Sequence, residues 1–100
     1  MKFKYGGKWG LTADECAYIY TTCQLFSRQD IEVQAAIGSL VREIGGEEYR
    51  RPLFECLTKH DSQLYTAQKY YMDTSTLSRL VKEFYVEYAK RYMRRVKKEK

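Results

Sequence analysis

The chain has 100 residues, 44% of them hydrophobic, with one proline and a net charge of +5; a chain this size hides roughly 60–65% of its unfolded surface, enough for one modest core. Such a composition excludes a disordered or fibrous chain, and no run approaches the roughly 18 apolar residues of a membrane span. The charge is unevenly placed: residues 1 to 60 balance eight basic against eight acidic side chains, whereas residues 61 to 100 carry ten against five, which points to a polyanionic partner rather than a solubilising tail.

Residues 1 to 10 hold three glycines, three lysines and three aromatics without a sustained period and read as an N-terminal arm that packs through Phe3, Tyr5 and Trp9; for Lys2, Lys4 and Lys8 a short disordered tail is favoured over an arm that enters a minor groove. Thr12 and Glu15 are spaced as a capping box, which starts a first helix near residue 13. Its apolar positions Cys16, Ile19, Tyr20, Cys23 and Phe26 recur at helical spacing. Ser27 can cap a second helix, with Ile31, Ala35, Leu40, Val41 and Ile44 as its buried stripe and Gly45-Gly46 as its stop.

Glu47 and Glu48 suit the positive end of a third helix with Leu53, Phe54 and Leu57 on its core face; Pro52 then belongs in its first turn or marks a break. Asp61 or Ser62 begins a fourth helix. Asp73 or Thr74 begins a fifth, which runs to the mid-nineties through Leu77, Leu80, Val81, Phe84, Tyr85, Tyr88, Tyr92 and Val96. The expected architecture is a single all-α domain over residues 1 to 100, a small bundle of about five helices with a long basic helix over residues 83 to 100.

The densest pattern is AQKYYMDTSTLSRL, residues 67 to 80. Two short helices joined by a tight turn can hold the second at the surface, where its first two turns fit the major groove of B-DNA. That packing asks for a small residue in the first helix, an apolar residue five positions on, and another five beyond; Ala67, Met72 and Leu77 meet it, with Leu64 and Leu80 extending the buried side. Left at the front are Thr74, Ser75, Thr76, Ser78, Arg79 and Lys82. Hydroxyls reach phosphates or base edges, and an arginine can take guanine O6 and N7 with two hydrogen bonds. Asp73 fits as N-cap, its carboxylate accepting from first-turn amides. Gln63 and Lys69 complete the expected surface, and Arg91, Arg94, Arg95, Lys97 and Lys98 offer sequence-independent phosphate contacts.

With these residues the chain resembles the helix-turn-helix DNA-binding proteins. The words TAQKYYMDTSTLSRLVKEF look like the paired helices of bacterial, plasmid and phage transcription regulators, a likeness that covers residues 62 to 82. More loosely, LFECLTKHDSQLYTAQKYYM is similar to regulators of fimbrial adhesin operons, and the polar helix followed by FYVEYAKRY to small phage regulators of the sigma-region-four type. Family members usually carry glycine at the turn, four residues after the alanine, because a positive φ is easiest there without a Cβ. Tyr71 stands in that place, which implies a different turn or a strain on the order of 1 kcal/mol.

Other chemistries are poorly served. Three cysteines, Cys16, Cys23 and Cys56, and no secretory apolar run in MKFKYGGKWG lead to reduced thiols and a cytoplasmic setting. His60 is the single histidine; a Cys56–His60 nucleophile has no flanking signature, and a zinc site from Cys16, Cys23, Cys56 and His60 lacks close ligand pairs. Gly6, Gly7 and Gly10 lack the lysine spacing of a phosphate loop. The expectation is therefore a non-enzymatic, cofactor-free transcription regulator bound to double-stranded DNA. Ten tyrosines suit half-buried interfaces and favour a homodimer. The alternative is a protein-interaction module, such as a phage-encoded inhibitor binding an acidic protein, or a DNA-packaging recognition subunit.

Overall fold

The structure, a computed structural model, describes residues 10–59 and 62–93. Among these residues it is all-helical: α1 (Ala13–Gln24), a 3-10 turn (Phe26–Arg28), α2 (Ile31–Thr58), α3 (Gln63–Lys69), α4 (Thr74–Tyr88) and a π-helical turn (Ala89–Met93). No helix in it is long and apolar enough to cross a membrane.

The start of α1 follows the expected capping box. The Glu15 amide donates to Thr12 Oγ1 at 3.0 Å and the Thr12 amide donates to Glu15 Oε1 at 2.9 Å, so two otherwise orphan donors are satisfied at once. Cys16, Ile19 and Cys23 form the inner face, while Tyr20 stands half out at its edge. Burial pushes the Cys23 thiol up to about 12, and this cysteine packs as a small apolar side chain. His60 lies outside the described residues.

Ser27 does not cap α2. It sits in the 3-10 turn, and Asp30 is the N-cap, without a side-chain bond. Glutamines stitch this corner instead: Gln29 Nε2 donates to the Thr22 carbonyl at 3.2 Å and Gln34 Nε2 to the Phe26 carbonyl at 2.9 Å. At the far end, Gln24 Nε2 donates to the carbonyls of Leu57 and Lys59, closing the C-terminus of α2 against that of α1.

The buried stripe of the first half of α2 is Ile37, Leu40 and Val41, flanked by Val33 and Ile44. Ile31, expected in that stripe, is 80% exposed, and Ala35 is exposed as well. Six residues separate Ile31 from Ile37, which puts it about 120° round the helix from the core face.

Four α-helices are counted where five were expected, because the expected second and third follow one another directly across a kink at Gly45-Gly46 and form one element, α2. Gly46 has φ 65 and ψ −167, the one non-helical residue inside α2, and the helix resumes directly. The two glycines serve different purposes. A Cβ on Gly45 would lie 2.9 Å from the Arg50 nitrogen, whereas Gly46 is needed for its backbone angles. Pro52 lies neither in a first turn nor at a break; it is buried within α2, six residues past the kink, where it removes one helical amide donor.

The second half of α2 buries Leu53 and Leu57, and the Phe26 and Phe54 rings meet edge to face at 4.9 Å. Across the middle runs α4, packed against α1, α2 and α3. Its inner residues Leu77, Leu80, Val81, Phe84, Tyr85 and Tyr88 follow the expected helical stripe. Phe84 is fully buried, and burial of such a side chain contributes about 1.5–3 kcal/mol. The regular helix stops at Tyr88 short of the mid-nineties, and the chain continues as the π-helical turn. Arg94, Arg95, Val96, Lys97 and Lys98, and residues 1 to 9 of the arm, lie outside the described residues.

Two glycine substitutions in α2 separate the kink from ordinary helix. Gly46→Ala is expected to lower unfolding free energy by roughly 1–3 kcal/mol, since its backbone angles are open almost only to glycine. Gly38→Ala, where an added Cβ meets nothing within 4 Å, should raise it by about 0.5–1 kcal/mol. Urea midpoints of the two variants against the parent check both signs.

Candidate nucleic-acid interface

Seven residues of α3 are too few to hold a helix unaided. Ser62 Oγ accepts from the Tyr65 amide at 3.0 Å and opens it. Its inner face is Thr66 and Ala67, both buried, with Gln63 and Tyr70 half-buried one turn to either side. Leu64, expected to extend this face, is 57% exposed; it follows Gln63 by one residue, about 100° off the inner stripe.

The exit from α3 sets the site. Tyr71 has φ 57, the single positive φ outside glycine among the described residues. The Tyr71 amide donates to the Gln68 carbonyl at 3.2 Å and the Met72 amide to the Ala67 carbonyl at 2.9 Å. This pair of bonds is a Schellman cap, which normally places glycine where Tyr71 stands. The turn thus has the backbone that glycine would give, adopted by a tyrosine. Tyr71 is 96% exposed, while Met72 is partly buried and packs against the core.

From this turn α4 begins at Thr74. The Asp73 carbonyl accepts from the Leu77 amide at 3.2 Å, but the Asp73 carboxylate makes no capping bond. The expected role of that carboxylate is thus not realised, and the first-turn amides keep their outward donors. Thr74, Ser75, Ser78, Arg79 and Lys82 are exposed, and Thr76 is half-buried beside the turn. Ser75, Ser78, Arg79 and Lys82 recur at helical spacing opposite the buried stripe. Arg79 Nη1 lies 3.6 Å from Glu83 Oε2, both side chains being largely exposed.

Two expected phosphate contacts are drawn into the fold. Lys69 Nζ donates to Glu55 Oε1 at 3.1 Å, and the Tyr70 hydroxyl donates to Glu55 Oε2 at 2.5 Å, pinning the end of α3 to α2. The Tyr70 bond is the main reason that Glu55 is held below the usual carboxylate range, with Lys69 adding to it. Burial first, and then the same bond, hold the Tyr70 phenol above its usual value. Arg91 meets Glu43 through two N–H donors at 3.0 and 2.7 Å and Glu87 through Nε at 3.2 Å, binding the π-helical turn to α2 and α4. The Glu87–Arg91 half of this clasp has the four-residue spacing that sequence can reveal. Glu43 and Glu55 have no such signal, because their partners are 48 and 15 residues away.

Comparison with protein-family models, with curated proteins and with solved structures gives no match.

The turn and its anchor each make a stability prediction. Tyr71→Gly should raise unfolding free energy by about 1 kcal/mol, since it relieves a left-handed strain of roughly 1–2 kcal/mol and removes no packed side chain; calorimetry of the variant reads this as a higher Tm. For the anchor, a depressed glutamate contributes stability that is complete above its ordinary value of 4.5 and fades as pH falls through the folded value. A raised phenol contributes stability that is complete below 10.0 and fades as pH rises through the folded value. The stability advantage of the parent over Tyr70→Phe, followed by urea midpoints across pH, should therefore be flat between these limits and shrink on both sides.

Proposed function

We propose that the chain is a sequence-specific DNA-binding regulator of the helix-turn-helix kind, in which α3 and the Tyr71 turn support α4 and residues Thr74 to Lys82 enter the major groove. The observation that carries this reading is the left-handed turn at Tyr71 followed by an outward face of hydroxyls, one guanidinium and one ammonium. Ser75 and the first-turn amides of α4 would take a phosphate, favoured by the positive end of the helix. Thr74, Ser78 and Arg79 would meet base edges, and Lys82 the backbone beyond them. Thr76 and Gln63, half-buried, would act at the margin of this surface.

Magnitudes favour Arg79 as a reader in spite of its neighbour Glu83. An exposed ion pair of this kind is worth about 0.2–1 kcal/mol, whereas a bidentate arginine–guanine contact discriminates by roughly 1–3 kcal/mol. Lys69 and Arg91 are held by carboxylates and contribute less to phosphate binding than the raw charge count implies. A homodimer on a two-fold related site is part of the proposal, since a single α4 reads only a few base pairs. A second reading, a module that binds an acidic protein, draws on Leu64 and Tyr65, adjacent and both more than half exposed on α3; exposed apolar pairs suit protein contacts.

A duplex retained from a random-sequence library by the full chain is the reagent for the test. On it Arg79→Ala should cost about 1–3 kcal/mol and relax preference at one base pair, while Lys82→Ala weakens selected and random duplexes alike and lowers the salt slope by about 1. Equal losses from both variants on both duplexes would refute the assigned roles, and the absence of any retained duplex as salt rises would favour the protein-binding reading.

A further inference from the structure

Between the half of α2 that follows the kink and the Tyr71 turn lies a cleft of about 500 Å3, within the roughly 300–1,000 Å3 of small-molecule sites. Glu48 and Tyr49 of α2 form one wall, Tyr70, Tyr71 and Asp73 of the turn another, and Thr76 of α4 the end; no lysine or arginine lines it. Two acidic residues and three tyrosines therefore line one space. Among the described residues neither carboxylate is ion-paired, and that of Asp73 is not used as a helix cap.

One of the three tyrosines already meets a cation. The Tyr70 hydroxyl is fixed by Glu55, and Lys69 Nζ already stands 5.7 Å from the centroid of the Tyr70 ring, within the reach of cation–π attraction. Tyr71 is the second observation. It occupies a left-handed conformation that costs roughly 1–2 kcal/mol in any residue but glycine, yet its ring is almost wholly exposed and packs nothing in the core. Strained residues cluster at functional sites, and Tyr71 is one of the residues that line the cleft.

We propose that this cleft binds a small organic ammonium cation, with the rings of Tyr49, Tyr70 and Tyr71 against its alkyl groups and the carboxylates of Glu48 and Asp73 balancing its charge. Anions and neutral analogues of the same shape are excluded, the first by the two carboxylates and the second by the lack of charge to pair with them. Because Thr76 and Asp73 belong to the start of α4, an occupied cleft adjoins the outward face of that helix. Binding itself does not depend on the reading of that face, and its test requires no DNA.

The probe is choline, titrated into the full chain and followed through tyrosine ring signals by NMR, with the neutral isostere in which carbon replaces nitrogen and with inorganic phosphate as parallel arms. Choline should shift the rings of Tyr49, Tyr70 and Tyr71 saturably, with a Kd on the order of 1 mM, and the other two probes should not. Tyr71→Ala, which keeps a non-glycine residue at the same strained position, should weaken binding about two- to five-fold. The double change Glu48→Gln with Asp73→Asn should abolish the preference for choline over the isostere, with circular dichroism confirming that both variants fold. No saturable shift with choline, an equal response to the isostere or to phosphate, or unaltered binding by both variants would overturn the proposal.

Discussion

The reversal of the chain at Tyr71 governs what α4 can present. Between the end of α3 and the start of α4 stand Tyr70, Tyr71, Met72 and Asp73, and within them the amides of Tyr71 and Met72 fold back on α3. Each backbone bond contributes about 0.5–1.5 kcal/mol net, and the left-handed residue costs roughly 1–2 kcal/mol. The turn is thus close to neutral taken alone. Apolar packing decides it: Ala67 and Leu77 are buried in one core and Met72 packs against that core. The geometry that turns these three inward also leaves Ser75, Ser78, Arg79 and Lys82 on the opposite side.

That arrangement is held from a distance by charge. The kink at Gly46 redirects the second half of α2, from which Glu55 reaches Tyr70 and Lys69 at the end of α3. Before the kink, Glu43 clasps Arg91 beyond the end of α4. Both clasps join segments that local sequence cannot pair, and both use basic residues that composition alone would assign to a polyanion. The electrostatic surface left for a partner is therefore narrower than the net charge suggests, concentrated on Arg79 and Lys82 among the described residues of α4.

Local rules made much of the helical order legible. The Thr12–Glu15 box, the Ser62 start and the apolar stripe of α4 depend on residues three or four apart, and each appears where its spacing points. Tyr71 in the glycine place left two alternatives, a different turn or a strained one, and its φ of 57 is the strained one. The misses share a cause in tertiary context. Ile31 and Leu64 are apolar and helical but lie off the inner face, so apolar character alone overstated the core. Gly45-Gly46 carries a helix-stop signal, met as the non-helical kink at Gly46, but helix resumes so directly beyond it that the two expected helices make one element. Ser27 has capping chemistry, but glutamine side chains reaching neighbouring carbonyls shape that corner and move the cap to Asp30. Of the candidate site, the exposed front of α4 was readable from spacing; the cleft beside it was not, since Glu48 and Tyr49 come to the turn only through the bend in α2.

The most direct test of the central claim, that the Tyr71 turn presents α4 for groove contact, is amide mapping by NMR as a duplex is added to the labelled chain. The account predicts that the largest shifts cluster at Thr74 to Lys82, with the buried stripe of α4 and the body of α1 little changed. Shifts confined to surfaces away from α4, or none with any duplex at low salt, would contradict it.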